Sequence, residues 1–145
     1  MTGKGGRKGA RDRRGLLDTN ALILLGQLDP DTLPDELLIS AVTLAELSVG
    51  PLLATREPER AARLAHLQQA EADFDPLPFD SKAARAFGRV AASLRRSGRK
   101  SSARSFDAMI AATALAHDLP LYTYNPGDFA GIDELLVKPV RVSGG

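Results

Sequence analysis

The sequence predicts an α/β protein whose sheet is mostly parallel and covered by helices on both faces. Short apolar runs typical of buried strands alternate along the chain with stretches of helical periodicity, and this alternation favours parallel strands joined by helical crossovers. The length of 145 residues and the hydrophobic content of 43% allow one domain with a substantial core.

The charge balance and the absence of cysteine exclude several classes of protein. The formal net charge is only +1, so overall charge does not indicate a nucleic-acid binder. The chain has no cysteine, which excludes disulfides and thiolate metal sites and fits a reducing compartment. The apolar run at 16–25 is interrupted by Asp18 and Asn20 and has no small-residue cleavage site after it. We therefore predict no signal peptide, no membrane helix and a cytoplasmic location.

Residues 1–14 differ in composition from the rest of the chain. They are rich in glycine and carry six basic side chains against a single aspartate. We expect this segment to be a disordered tail, with a single domain at 15–145. Two interpretations stay open, a solubilising tail or vector remnant and an arm that contacts phosphates. We prefer the first.

The first half of the chain predicts two strands and three helices. The strands are expected at 15–17 and 37–39, where short apolar runs follow charged or turn-forming residues. The helices are expected at 20–28, from a cap at Ser40 or Thr43 to the stop signal at Gly50 and Pro51, and at 58–71.

The second half predicts further strands and two more helices. A weak strand is expected at 74–77, and a long helix capped by Asp80 or Ser81 runs to about residue 97. A helix of small residues starts near Phe106, and a strand follows at 121–123. Residues 125–129 predict a turn. A final strand at 137–142 is placed at the sheet edge, because it contains a proline.

Asp18 is the first candidate site residue. It lies inside the apolar run, and burying a carboxylate is costly unless something pairs with it. Its expected position is the carboxyl end of the first strand, where open α/β sheets bind their ligands. A helix N-cap is the structural alternative, and the residue alone does not decide between the two.

Other polar side chains are expected at the same edge of the sheet. Glu46 lies in an otherwise apolar helix, Asp107 lies in the first turn of a helix, and Asn125 and Asp128 follow a buried strand. Because converging carboxylates repel one another unless cations lie between them, we expect a metal site. Carboxylate oxygens favour Mg²⁺ or Mn²⁺ over zinc.

Four short stretches of the chain carry these polar residues. They are residues 17–20 (LDTN), 45–47 (AEL) with Gly50, 106–112 (FDAMIAA), and 123–125 (TYN) with 128–129 (DF). In this order they resemble the motifs of PIN-domain nucleases, and the chain is particularly similar to the VapC toxins of VapBC toxin–antitoxin pairs. The resemblance covers residues 15–142.

The resemblance implies a three-layer α/β/α sandwich with a mostly parallel central sheet. It also implies an endoribonuclease that uses one or two Mg²⁺ or Mn²⁺ ions, forms a homodimer and is inhibited by a VapB-like antitoxin. Matched residue by residue, Asp18, Glu46 and Asp107 are the expected metal ligands and catalytic residues. The fourth is Asn125 or Asp128, of which we favour Asp128. Thr19, Asn20 and Asn125 are expected to order the site.

The predicted reaction is attack by a metal-activated water on an RNA phosphodiester, which leaves a 5′-phosphate and a 3′-hydroxyl. The chain has neither a P-loop nor a G-x-S-x-G motif. Two alternatives remain, a structure-specific DNA nuclease and a non-catalytic binding module on the same fold. The expected substrate contacts are basic residues between 95 and 104: Arg95, Arg96, Arg99, Lys100 and Arg104.

Overall fold

The computed structural model describes residues 12–98 and 105–144. The predicted tail up to residue 11 lies outside the described residues, and so do three of the predicted substrate contacts, Arg99, Lys100 and Arg104. Within the described parts, no helix is both long and apolar enough to cross a membrane.

A four-stranded parallel sheet forms the centre of the fold. Its strands are β1 (Arg14–Leu17), β2 (Glu36–Leu38), β3 (Leu121–Thr123) and β4 (Val137–Pro139), in the spatial order β2-β1-β3-β4. Leu16 of β1 is in register with Leu38 on one side and with Leu121 on the other. The predicted parallel sheet is confirmed, and β4 is an edge strand as its proline predicts.

Among the described residues, five helices flank the sheet. They are α1 (Thr19–Ile23), α2 (Ala41–Leu53), α3 (Glu57–Asp73), α4 (Ser81–Arg96) and α5 (Ser105–Ala116). Short 3-10 helices occur at Leu25–Gln27, Pro30–Thr32 and Pro126–Phe129. The predicted helix at 20–28 is therefore divided into α1 and a 3-10 turn.

Two hydrophobic cores lie on opposite faces of the sheet. Successive side chains of a strand point to opposite faces, so Leu16 and Leu121 pack with α4 and α5, whereas Leu17 and Tyr122 pack with residues of α1, α2 and α3. All three leucines are completely buried, and each contributes about 1.5–3 kcal/mol to folding. The result is the predicted three-layer α/β/α arrangement.

Helix α2 does not end at Gly50 and Pro51, where we predicted its end. It continues to Leu53 with Pro51 inside it. Arginine side chains of α3 satisfy the carbonyl groups at this end: Arg63 donates to the Gly50 carbonyl at 2.9 Å, and Arg60 donates to the Pro51 carbonyl at 3.3 Å. The tertiary contact with α3 therefore outweighs the local stop signal.

The predicted strand at 74–77 is also wrong. Within this segment only Leu77 pairs with a neighbouring segment, through a single bridge to Ser40. Leu77 donates its N–H to the Ile39 carbonyl and accepts from Ala41. The prolines on either side, Pro76 and Pro78, have no N–H to donate, so the ladder cannot extend.

The ends of the first and last strands differ from the prediction. Residues 12–14 belong to the fold, since Arg14 starts β1 and the Arg13 carbonyl accepts the Glu36 N–H at 2.8 Å. At the other end, β4 stops at Pro139, and Val142 forms an isolated antiparallel bridge with Leu28.

Candidate active site

Asp18 is held at the carboxyl end of β1 by two hydrogen bonds. Its Oδ1 accepts the Ala21 N–H at 2.8 Å, so Asp18 is the N-cap of α1. Its Oδ2 accepts the hydroxyl of Thr123, at the end of β3, at 2.6 Å. The side chain is buried. The structural interpretation of Asp18 as a cap is correct, and its position at the ligand-binding edge is correct too.

The electrostatic surroundings of Asp18 oppose its ionisation. Burial raises the pKa of the Asp18 carboxyl, and the carboxylates of Glu46 and Asp128 raise it further. The hydrogen bonds from Thr123 and Ala21 act in the opposite direction and lower this pKa. Three acidic side chains from separate elements are therefore close enough to repel one another, as the sequence led us to expect.

Glu46 is positioned from α2 by the residue that follows Asp18. The Thr19 hydroxyl donates to Glu46 Oε1 at 2.7 Å and lies 3.1 Å from the hydroxyl of Thr43. Glu46 is half-buried, whereas both threonines are buried. Consecutive residues at the end of β1 thus contact β3 through Asp18 and α2 through Thr19.

Asn125 precedes the 3-10 helix that follows β3, and Asp128 lies within this helix. The Asn125 N–H donates to the Thr123 hydroxyl at 3.0 Å, and the Asn125 carbonyl accepts the Asp128 N–H at 3.0 Å. Asn125 is exposed and Asp128 is half-buried. Asp128 is the member of this pair whose charge reaches Asp18.

Asp107 lies in the first turn of α5 and is half-buried. Helix α5 leads into β3, so a crossover back to the start of a parallel strand places the first turn of this helix at the carboxyl edge of the sheet. The carboxylates that raise the pKa of Asp18 include those of Glu46 and Asp128. The structure therefore groups Glu46 and Asp128 with Asp18 and places Asp107 at the same edge of the sheet.

A groove of about 190 Å³ runs beside Glu46, between α1, α2 and α3. Asn20, which is exposed, lies on its wall. Arg63 and His66 reach the groove from α3. The sequence did not predict either residue at the site, because neither Arg63 nor His66 has a local sequence signal that connects α3 to it.

The described basic residues of the predicted substrate surface are at the end of α4. Arg95 and Arg96 are both exposed. Arg96 forms an ion pair with Asp133 at 2.5 Å, so its charge is partly compensated. Of the two arginines, Arg95 is therefore the better candidate for a phosphate contact.

Thr43 and Thr123 contact the site residues in a way that the sequence did not predict. Thr43 was expected only as an alternative helix cap, and the cap of α2 is Ser40. Both threonines are completely buried. Their hydroxyls contact the side chains of Thr19 and Asp18. The available signal was a hydroxyl residue at the end of a buried strand and another on the apolar face of a helix, but such residues also occur as ordinary core threonines.

The donor set suits a hard cation. Asp18, Glu46, Asp107 and Asp128 offer carboxylate oxygens only, and the mutual repulsion at Asp18 is of the kind that a cation removes. Within residues 12–98 and 105–144, no group of three or more His, Cys, Asp or Glu side chains is already arranged as a metal-binding set. The carboxylates are close enough to interact, but in this arrangement they are not close enough to bind one ion together.

Comparison with known proteins gives a consistent result. The PIN domain family model matches residues 15–135. Ribonuclease VapC5 of Mycobacterium tuberculosis is 43% identical over 122 residues, which cover 82% of this chain and 87% of that protein. Ribonuclease VapC4 of the same organism is 35% identical over 128 residues, which cover 86% of this chain and 95% of that protein.

Solved structures show the same fold. The crystal structure of VapBC-5 from Mycobacterium tuberculosis, a member of the VapBC family of toxin–antitoxin systems, aligns with a TM-score of 0.75 and 42% identity, covering 90% of this chain and 99% of that chain. FitAcB from Neisseria gonorrhoeae aligns with a TM-score of 0.62 and 27% identity, covering 86% and 96% of the two chains.

Proposed function

Because this chain belongs to the PIN domain family and resembles its VapC members along most of its length, we propose that it is an endoribonuclease and the toxin of a VapBC-type pair. The substrate is RNA, the reaction is hydrolysis of a phosphodiester, and the cofactor is Mg²⁺ or Mn²⁺. The partner is a VapB-like antitoxin, and the active form is a homodimer.

One observation carries the proposal: a buried carboxylate is fixed by two hydrogen bonds while two other carboxylates repel it. A residue retained only as a helix cap has no need of that repulsion, because capping requires only its own oxygen and a backbone N–H. The negative charge that is concentrated at Asp18, Glu46 and Asp128 attracts a divalent cation. It therefore supports catalysis over a non-catalytic module.

The residues themselves can prepare the site for a cation. A carboxylate has about four lone-pair positions, and Asp18 uses two of them for Ala21 and Thr123. The remaining positions are available to a ligand. Thr19 orients Glu46, and Asp107 and Asp128 complete the proposed ligand set. Binding requires these side chains to draw together around the ion.

A divalent cation held by Asp18, Glu46, Asp107 and Asp128 would supply Lewis acidity, which would activate a water as nucleophile and stabilise the leaving oxygen. The chain contributes the fixed orientation of Asp18 and the exclusion of water behind it, where Leu17 and Ala21 are completely buried. Arg95, at the end of α4, is a candidate phosphate contact.

The antitoxin partner is supported by the relatives. VapBC-5 was solved as a member of a toxin–antitoxin family, and this chain covers 99% of the chain it matches there. We propose that a VapB-like antitoxin blocks the groove beside Glu46, which is lined by Asn20, Arg63 and His66.

The test is cleavage of end-labelled total RNA by the antitoxin-free protein with Mg²⁺, with Mn²⁺ and with EDTA. Asp18→Asn removes the central charge, and Asp80→Asn is the matched control. Asp80 is also an N-cap, with Oδ1 accepting the Ala83 N–H at 3.0 Å, but it is exposed at the start of α4. We expect metal-dependent cuts with 5′-phosphate ends from the wild type and from Asp80→Asn, and none from Asp18→Asn.

Three results would contradict the proposal. Cyclic phosphate ends would indicate attack by the RNA 2′-hydroxyl rather than by water. Preferential cleavage of structured DNA in a competition with RNA would favour the DNA nuclease. A folded protein that binds neither Mn²⁺ nor RNA would favour the binding module.

A further inference from the structure

We propose that Tyr124 and Arg141 form a nucleotide subsite at the carboxyl end of β3, in which the tyrosine ring stacks on a base of single-stranded RNA and the guanidinium contacts a phosphate. This inference rests on the proposed ribonuclease function and identifies a part of the chain that holds the substrate.

Tyr124 is the aromatic residue best placed to stack on a base. All seven aromatic side chains of the protein, five phenylalanines and two tyrosines, lie in the described ranges. Among them only Tyr124 is classed as exposed, with 44% of its surface accessible. The other tyrosine, Tyr122, is buried and donates its hydroxyl to Asp12. Stacking on a base requires an accessible ring face, and Tyr124 provides one.

The position of Tyr124 connects it to the site. It directly follows Thr123, whose hydroxyl is bonded to Asp18, so the two Cα atoms of Thr123 and Tyr124 are about 3.8 Å apart. The next residue, Asn125, donates its N–H to the same threonine hydroxyl. The backbone on both sides of the ring is therefore fixed relative to the central carboxylate.

Arg141 is brought to the same place by the segment that follows β4. The Val140 N–H donates to the Thr123 carbonyl at 2.9 Å. The Arg141 carbonyl accepts the Asp29 N–H at 2.7 Å. The backbone of Arg141 is thereby held while its side chain is exposed.

Together these residues line a surface concavity of about 510 Å³, completed by Asp29, Val142 and Gly144. Its chemistry suits a nucleotide, because it combines an aromatic face, an apolar side chain and a cation that can bind phosphate. The one acidic side chain, Asp29, is directed to its own turn, where its Oδ1 accepts the Asp31 N–H at 3.0 Å. Both RNA and an acidic peptide would be attracted by Arg141, but only RNA offers bases that stack on the accessible ring of Tyr124, which favours RNA.

The experiment measures binding of a 12-nucleotide oligoadenylate and of the same backbone with abasic riboses. Hydrolysis is prevented by working in the Asp18→Asn chain. We expect Tyr124→Ala to weaken oligoadenylate binding about 5- to 150-fold, the range measured for loss of one stacked base. Tyr124→Phe should retain the affinity, and neither change should alter binding of the abasic strand.

Two further variants test the ring and the cation separately. Tyr124→Trp introduces the only tryptophan of the chain, and its emission should be quenched by oligoadenylate and not by the abasic strand. Arg141→Gln should weaken binding of both strands and lower the slope of log K against log salt by about 1. Arg85→Gln, at an exposed arginine of α4, is the matched control and should change neither quantity.

Failure of the subsite differs from failure of the ribonuclease. Equal binding of oligoadenylate by Tyr124→Ala and its parent would overturn the subsite, even if the wild type cleaves RNA. Weakened binding of a VapB-like antitoxin without any change in RNA binding would overturn it too, and would assign this surface to the protein partner. Absence of cleavage by the wild type under every metal condition, with Tyr124-dependent RNA binding intact, would overturn only the ribonuclease.

Discussion

Replacing Thr123 by valine removes one hydrogen bond to Asp18 and leaves the shape of the side chain nearly unchanged. The Thr123 hydroxyl is 2.6 Å from Asp18 Oδ2, and both side chains are buried. Hydrogen bonds to charged groups contribute about 1.5–3 kcal/mol to stability. Asn125 also loses the acceptor for its N–H, but this residue is exposed and water can replace the acceptor.

We therefore expect Thr123→Val to lower the free energy of unfolding by about 2–3 kcal/mol at neutral pH. For a chain of 145 residues, about 3–4 °C of melting temperature corresponds to each kcal/mol, so Tm should fall by roughly 6–12 °C. The assay is thermal or urea unfolding, compared with Thr113→Val. Thr113 is another completely buried threonine, whose hydroxyl donates to the Met109 carbonyl within α5 at 3.0 Å.

The pH dependence separates a bond to a carboxylate from ordinary packing. The Thr123 hydroxyl lowers the pKa of Asp18 against the effect of burial, so its removal raises that pKa further. Below pH 3.8, the ordinary pKa of the carboxyl in the unfolded chain, Asp18 is protonated in both proteins. The loss of stability caused by Thr123→Val is then smallest. The deficit then grows as pH rises through the folded pKa values. A deficit that is independent of pH, like that expected for Thr113→Val, would refute the reasoning.

Three further predictions follow from the same geometry. Asp18→Asn should raise Tm at neutral pH, because the raised pKa means that stability present below pH 3.8 is lost as pH rises through the folded pKa; unfolding curves from pH 3 to 8 should show this gain disappear in acid, and a lower Tm at pH 7 would contradict it. Mn²⁺ at about 100 times its Kd should stabilise the wild type by about 2.7 kcal/mol and leave Asp18→Asn unchanged, as measured by thermal shift. Gly15→Ala should destabilise by about 1–3 kcal/mol, since its Cβ would lie 2.4 Å from the Tyr122 ring, whereas Gly26→Ala, with nothing within 4 Å of its Cβ, should be tolerated in the same denaturation assay.

The sequence predicted the centre of the fold because the relevant signals are local. The short apolar runs of β1 and β3 predict buried strands without reference to the rest of the chain. Asp18 and Asp80 are helix N-caps, a position that their short polar side chains favour. One mistake arose where distant residues decide, since Pro51 remains inside α2 while arginines of α3 donate to the carbonyls of Gly50 and Pro51. The other has a local cause, because Pro76 and Pro78 on either side of Leu77 have no N–H to donate and the pairing is limited to one bridge.

The sequence predicted the acidic residues of the candidate site more completely than the residues that position them. Asp18, Glu46 and Asp128 could be found because a carboxylate in an apolar or turn segment is conspicuous. Thr123 could not be assigned, because its partner Asp18 is 105 residues away in the sequence and a buried threonine is unremarkable by itself. The same reason applies to Arg63, which reaches the groove only after α3 packs on α2.

The bond between Thr123 and Asp18 also has a consequence for protein synthesis. Asp18 is translated early, but the hydroxyl that fixes it is added 105 residues later. At about 5–20 residues per second, this interval lasts roughly 5–20 s. Throughout that time Asp18 of the emerging chain has neither the Thr123 hydroxyl as a hydrogen-bond donor nor Asp128 beside it. The ribosome that makes this protein therefore completes nearly the whole domain before the proposed active site can assemble.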